Sequence, residues 1–318
     1  MNSQQKHDLI EFLLSPSSVV ATSETVQTET QWQHQFATLS THWNHPADCA
    51  IAGGFCSGSV GMAFSFGYQN ALRALAPAQV QQQRASFCVT EKGGNSPASI
   101  QTTLTPHPDG HWILNGQKSF VTGAEQSQLL LVAATTGLDS AQRNRLALVA
   151  VETNQAGIAI ERLPDLPFAP DVSHGRASFT NVEVSADQLL PGDGYADYVK
   201  PFRTIEDIHV SAALLGYLLQ IARRHDWPET AQESLVALIV MHRALAAMSP
   251  RSGTTHIALA GARHQLETWL RQHQDEWSRV PAAIADAWRR DAVLLDVAAK
   301  AGTQRTLAAW KRLRESGS

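Results

Sequence analysis

The chain has 318 residues, 43 % of them hydrophobic and 17 % charged, with a formal net charge of −4 and a pI near 6.3. That length allows two or three domains and a substantial core, while the lack of a basic excess or a Lys/Arg run gives a nucleic-acid backbone nothing to bind. No stretch approaches about 18 uninterrupted apolar residues, so an ordinary transmembrane helix and a membrane partner are not expected.

The opening MNSQQKHDLIEFLLSPSS has no basic n-region and no long apolar h-region, and its short amphipathic run predicts a helix rather than a signal peptide. A cytoplasmic location is expected. Cys49, Cys56 and Cys88 have neither CxxC spacing nor an even count, which argues against a disulfide framework and against a zinc knuckle. They read as small buried residues of a reducing compartment.

From about residue 5 to 83 the pattern is mostly helical. HDLIEFLL, TETQWQHQFATLSTHW and SGSVGMAFSFGYQNALRALA repeat apolar residues at three and four, and Pro77 opens a short last helix in PAQVQQQRA. The middle changes period. ASFCVTE, SIQTTLTPHP, HWILNGQKSFVT, QLLLVAATT, RLALVAVET, GIAIERL and GRASFTNVEV are short, rich in Val, Ile, Leu, Phe and Thr, and separated by Gly, Pro, Asn and Asp. They predict an antiparallel barrel or sandwich of about seven or eight strands, with PDGHW as the clearest hairpin turn. Beyond LLPGDGYADY the strand signal stops, and breaks at HDWPET, MSPRSGT and SRVPAA, each with a proline, divide the rest into four helices.

The predicted fold is thus α+β and multidomain: an N-terminal helical domain over 1–84, a middle antiparallel β-barrel over 85–199, and a C-terminal four-helix bundle over 200–318. No repeat of 20 to 50 residues interrupts that order.

Three segments within that order resemble the acyl-CoA dehydrogenase superfamily of flavoproteins. FCVTEKGGNS is similar to the family's aromatic-C-V-T-E-P-G-A-G-S-D, LNGQKSFVTGAEQSQLLLVAA to L-N-G-x-K-x-W-I-T-N-G, and GRASFTNVEVSADQLLPGDGYADY to F-x-x-V-x-V-P-x-x-x-L-L-G. Order and spacing agree over roughly residues 85 to 225. The resemblance implies FAD lying between barrel and bundle. It implies Val89 offering backbone groups and Thr90 a hydroxyl to the flavin ring, Ser96 facing the pyrophosphate or the thioester side, and Thr122 reaching N5. Phe120 occupies the place of a Trp stacked on the isoalloxazine, keeping the aromatic face without the indole N–H.

The implied reaction is α,β-desaturation of an acyl-CoA thioester, an oxidoreductase step on a CH–CH group of the kind used in fatty acid metabolism. It implies an electron-transferring flavoprotein or another acceptor, and a homo- or hetero-oligomer. Such a reaction needs a base within about 3 Å of the substrate α-proton. The family's usual glutamate, in Y-E-G-T, is replaced here by the alanine preceding Gly302. A minority of members carry the base on the first bundle helix as L-E-R followed by an apolar run to L-G. In IEDIHVSAALLGY the residue ten before Gly216 is Glu206, the candidate base, and Asp207 replaces the usual Arg. An acidic pair there could raise the pKa of one member.

Other family features are missing. No R-x-x-F-G opens the second bundle helix, although Arg223 and Arg224 precede it, and VPAAIADAW stands near the place of a G-G-x-G segment. Two alternatives therefore stay open: a catalytically inactive scaffold or regulatory subunit paired with an active paralogue, and a flavin monooxygenase of the same superfamily.

The remaining constellations point to packing. His42 and His45 flank a turn, and the histidines in HDW and MHR stand alone, so no metal site is expected. GGFCSGSVGMAFSFGY lacks G-x-G-x-x-G after a strand and reads as a tight turn into the third N-terminal helix. Trp277, Trp288 and Trp310 read as packing or oligomer-interface residues.

Overall fold

Thr28 starts the first long helix by accepting from the Gln31 amide at 3.2 Å while the Gln31 side chain reaches back to the Thr28 N–H at 3.1 Å. This reciprocal cap satisfies donors that a helix start otherwise leaves unpaired. The computed structural model describes residues 8–16, 25–295 and 299–316. In order they form α1 (Leu9–Leu14), α2 (Glu29–His42), α3 (Pro46–Phe55), α4 (Val60–Leu75) and α5 (Pro77–Val80). Strands follow as β1 (Ala85–Cys88), β2 (Thr103–Pro106), β3 (Trp112–Thr122), β4 (Leu129–Leu138), β5 (Asn144–Glu152), β6 (Ile158–Arg162) and β7 (His174–Val184). The last elements are α6 (Lys200–Arg224), α7 (Glu229–Ala246), α8 (Gly253–Gln272), α9 (Ala282–Asp291) and α10 (Ala299–Ser316).

The residues fall into two units. One is helical and joins Met1–Ala71, Pro167–Asp171 and Thr204–Ser318; the other, Leu72–Leu166 with Val172–Arg203, contains the sheet. The fold class is helical, then β, then helical along the chain, as the sequence predicts.

Within the helical unit, aromatic residues on α2 and α4 stack: Trp32 and Phe36 ring centroids are 4.9 Å apart, as are Trp32 and Phe66. A second aromatic cluster joins Trp227, Trp269, Trp277, Trp288 and Tyr217, so Trp277 and Trp288 are core residues, whereas Trp310 on α10 is half exposed. Helix α3 has no counterpart in the periodicity reading, because its two adjacent glycines and its alanines blur the apolar stripe. Gly53 and Gly54 are not in a turn but in the last turns of α3, where Gly53 packs on the Phe66 side chain and α6 passes Gly54 at backbone distance. A Cβ on Gly54 would lie 1.8 Å from the Ala213 carbonyl oxygen, and one on Gly216 2.2 Å from that of Ile51. The helices approach this closely because both present hydrogen atoms there.

Helix α6 itself has residues 212–222 buried throughout. The stretch Gly194–Arg224 matches a membrane span in length and composition, yet 78 % of its most apolar window is buried within the protein, which is the pattern of a core helix. The fourth predicted C-terminal helix is two, α9 and α10, parted around Ala292–Leu295, a short 3-10 turn; residues 296–298 of that expectation lie outside the described residues. No proline or glycine marks this break. Asp291, at the end of α9, is fully buried and accepts from the Ala169 amide at 2.7 Å, while Ser59 donates to Asp171 at 2.5 Å. The short segment 167–171 is thereby held in the helical unit.

His209 is a buried histidine of α6 whose Nδ1–H donates to the Ile205 carbonyl at 2.8 Å. Burial pushes its pKa down to about 4, the neighbouring His45 and His242 push the same way, and the backbone bond opposes them. An unfolded histidine takes up its proton near its ordinary value of about 6.5, while the folded one stays neutral. Stability is therefore complete above that value and is lost as pH falls toward 4, by about 3 kcal/mol over the window. Melting temperatures measured between pH 7 and pH 4 should fall steeply for the unsubstituted chain and less steeply for His209→Gln.

The sheet of the other unit curls, with strand order β1-β4-β2-β3-β7-β6 and β5 on β4. It has the seven strands expected, but it is not wholly antiparallel. Strand β4 pairs with β5 along one edge, antiparallel, from Leu129 to Leu138, and on its other edge meets β1 and then β2 in parallel. The loop between β1 and β2 explains this: it lets both strands run in one direction along the same edge of β4. Leu104, Leu114, Leu130, Val132, Val149, Phe179 and Val182 fill the inside. All three cysteines are free and buried, as the sequence suggests, and burial raises the Cys56 and Cys88 thiols to about 12, leaving them as inert thiols.

Candidate functional site

The loop after β1 is pinned from beneath by one ion pair. Lys118, on β3, is completely buried, and its Nζ lies 2.7 Å from Glu91 Oε1 and donates to the Val89 carbonyl at 3.3 Å. Glu91 also accepts from the Gln101 amide at 2.8 Å, the Thr102 amide at 3.0 Å and the Thr102 hydroxyl at 2.8 Å. Burial raises the Glu91 carboxyl, but the bond and charge of Lys118 and the two amides outweigh it and hold the group below its ordinary range. A buried charge needs such partners, and this set joins both ends of the loop to β3. Both fall inside the matched motifs, but the sequence reading assigned neither a role. The available signal was a lysine inside an apolar strand: Lys118 is buried on β3 with Leu114 and Val121, and a buried lysine must find an acid.

Above this pair, β3 bulges. Lys118 pairs with Ala177 and Val121 with Gly175, so Ser119 and Phe120 together oppose Arg176. Phe120 has φ +53° and its side chain is 62 % exposed. An aromatic residue in the left-handed region is a strained one, and the bulge turns its ring out of the sheet. The Ser119 amide donates to the Thr90 carbonyl at 2.8 Å, which sets Thr90 beside the bulge. Thr122 lies on the same strand opposite His174, and its carbonyl accepts from the Ser86 hydroxyl at 2.6 Å.

The structure thus brings Val89, Thr90, Phe120 and Thr122 together in the sheet unit. The Thr90 and Thr122 side chains are half buried, and neither hydroxyl has a protein partner among the described residues. Two hydroxyls and an outward aromatic face are a donor set suited to a planar heterocycle. A Cβ on Gly93 or Gly94 would make only ordinary contact with Ser99, at 3.6 Å or more. Ser96 is exposed, and its hydroxyl is turned back to donate to Ser99 Oγ at 3.1 Å.

Glu206 belongs to the helical unit, half buried on α6. Its neighbour Asp207 makes an ion pair with Arg305 of α10. Arg223 is also engaged, donating to the carbonyls of Leu14 at 2.9 Å and Ser15 at 3.3 Å, where it closes the C-terminal end of α1.

Comparison with known proteins agrees with the β unit's motifs. Residues 86–182 match the sequence profile of the acyl-CoA dehydrogenase middle domain. Over 95 residues the chain is 33 % identical to dibenzothiophene monooxygenase of Rhodococcus erythropolis, covering 29 % of this chain and 22 % of that protein. Over 105 residues it is 29 % identical to mitochondrial isobutyryl-CoA dehydrogenase of Dictyostelium discoideum, covering 33 % of this chain and 24 % of that one. The matches thus span about a quarter or less of these relatives' lengths. The solved structure of butyryl-CoA dehydrogenase from Megasphaera elsdenii superposes with a TM-score of 0.66 at 14 % identity, covering 96 % of both chains.

The protein has the acyl-CoA dehydrogenase fold. Its residues 86–182 form a middle domain of the acyl-CoA dehydrogenase superfamily.

Proposed function

We propose that the chain is an FAD-dependent oxidoreductase that desaturates an acyl-CoA thioester between its α and β carbons. The observation that carries this reading is Phe120, an aromatic ring held outward at a strained bulge beside two unpartnered hydroxyls. Phe120 would give an isoalloxazine an aromatic face, Thr90 and Thr122 would offer it hydroxyl donors, and the Glu91–Lys118 pair keeps the Val89–Thr90 backbone in place. FAD, when bound, supplies the acceptor for the hydride that leaves the β-carbon. Glu206 takes the α-proton, and its neighbour Asp207 is neutralised by Arg305. The reading calls for an electron-transferring flavoprotein or another acceptor as partner, and the half-exposed Leu307, Trp310 and Leu313 of α10 would give an oligomer its contact.

A second reading has an observation of its own. The identity to a monooxygenase and the alanine at 301 favour a flavin monooxygenase, which needs no α-proton abstraction.

The test is the visible spectrum of the purified protein, before and after reconstitution with FAD, followed by anaerobic addition of acyl-CoAs of several chain lengths. The expected result is a flavin band bleached by one class of acyl-CoA, with bleaching lost in Glu206→Gln while FAD is retained. Oxygen uptake with reduced flavin that Glu206→Gln leaves unchanged would establish the monooxygenase instead, and failure to hold any flavin would leave only a scaffold. Phe120→Gly should separate strain from binding: it relieves the positive φ, so the melting temperature holds or rises, while FAD affinity falls about tenfold, the loss of one good aromatic contact.

A further inference from the structure

The hairpin predicted at PDGHW is present, and it gathers ligand atoms that neither the fold nor the flavin reading uses. Pro106 pairs with Trp112, and the His107 amide donates to the His111 carbonyl at 2.8 Å, so His107 and His111 are the closing pair of a three-residue turn. Residues directly opposed in an antiparallel ladder project to the same face. Their imidazoles accordingly lie face to face, with centroids 4.3 Å apart at 22°. Asp109 at the tip adds a carboxylate, with Oδ2 at 3.4 Å from His107 Nδ1. One nitrogen from each histidine and one oxygen from the aspartate all lie within 4.8 Å of one another.

We propose that this turn binds a divalent transition-metal cation of the zinc class through His107, Asp109 and His111. Two imidazoles and a carboxylate are a ligand set of the borderline kind that such ions take, with water completing the shell. Ligands on one tetrahedral ion sit about 3.3 Å apart, so the three must draw together by rotation of exposed side chains, without backbone movement. The competing interaction is weak: the Asp109 amide reaches His107 Nδ1 at only 3.4 Å. The backbone is pre-set for closure, since Pro108 has a fixed φ and Gly110 takes φ +90°, a conformation that favours glycine. The spacing H-x-x-x-H, i and i+4 as on a helix, occurs here on a hairpin.

The test is calorimetric titration of the untagged full-length chain with zinc chloride at pH 7.5, in a buffer free of phosphate and imidazole. One equivalent should bind with micromolar affinity, weaker than four-ligand structural sites. His107→Ala and His111→Ala should each weaken binding by about tenfold or more, Asp109→Asn by less, and the double histidine variant should abolish it. Protons compete for imidazole nitrogen, so affinity should also fall on acidification to pH 5.5. Circular dichroism and melting temperature should stay unchanged in every variant, because all three side chains are at the surface. The proposal is overturned if the unsubstituted chain binds no zinc, if the double variant binds it as tightly, or if only one of the two histidines matters.

Discussion

Replacing Lys118 by alanine should lower stability by about 3 to 5 kcal/mol, read as a shift of the urea midpoint, because it leaves Glu91 buried and without its counter-charge. Glu91 cannot escape to solvent, being tied to the Gln101 and Thr102 amides. The double variant Glu91→Gln with Lys118→Met should recover much of the loss. Glutamine keeps the Oε1 acceptor for the Thr102 amide and hydroxyl and gives up the Oε2 bond to the Gln101 amide, while methionine fills the lysine's volume without a charge. If the double variant is no more stable than Lys118→Ala, the cost is packing and not charge.

The pH dependence has a defined sign. Burial alone would raise the Glu91 carboxyl, but Lys118 and the two amides bring it below its usual range. The stability it contributes is present above the ordinary carboxylate value and is lost as pH falls through its lower folded value. Any flavin held by Val89 and Thr90 should be released over the same acid window, since the loop and the ion pair are one assembly.

Gly54→Ala should be the most damaging single-methyl addition in the helical unit, and Gly216→Ala nearly as severe. In each case the new carbon meets a backbone carbonyl of the facing helix, at 1.8 Å and 2.2 Å, and no rotamer change can relieve it. The helices must separate, which costs about 3 kcal/mol or more, at or beyond the upper end of ordinary overpacking. Gly261→Ala is the control. Gly261 lies within α8 with nothing inside 4 Å of the added carbon, so alanine there should stabilise by about 1 kcal/mol through helix propensity. Thermal melts of the three variants check both signs at once.

The order of elements was legible because period changes are strong signals: three-and-four spacing in the helices, Val/Ile/Thr-rich runs in the strands, and prolines at the C-terminal breaks. The hairpin at Pro108–Gly110 was legible for the same local reason. Helix α3 was not, since alanine and glycine carry little amphipathic contrast, and its Gly54 serves a partner more than 150 residues away in sequence. The parallel pairing of β1 and β2 with β4 was also hidden, because a strand's composition does not encode its neighbour's direction. Around the candidate site, motif spacing found Thr90, Phe120 and Thr122, whereas the Glu91–Lys118 contact depends on how the loop after β1 folds back onto β3. The bulge turns the Phe120 ring outward locally, and no residue type announces it.

The helical unit takes its members from both ends of the chain and from the five residues 167–171 between β6 and β7. During synthesis, Trp32, Phe36, Phe55 and Phe66 leave the ribosome well before α6, whose Gly216 and neighbouring apolar residues share their core. At ordinary elongation rates of about 5 to 20 residues per second, that interval lasts on the order of ten seconds, during which a cluster of large aromatic residues is without its eventual cover. The sheet unit can complete most of its ladder in that time. The nascent N-terminal helices thus carry uncovered aromatic surface until α6 arrives.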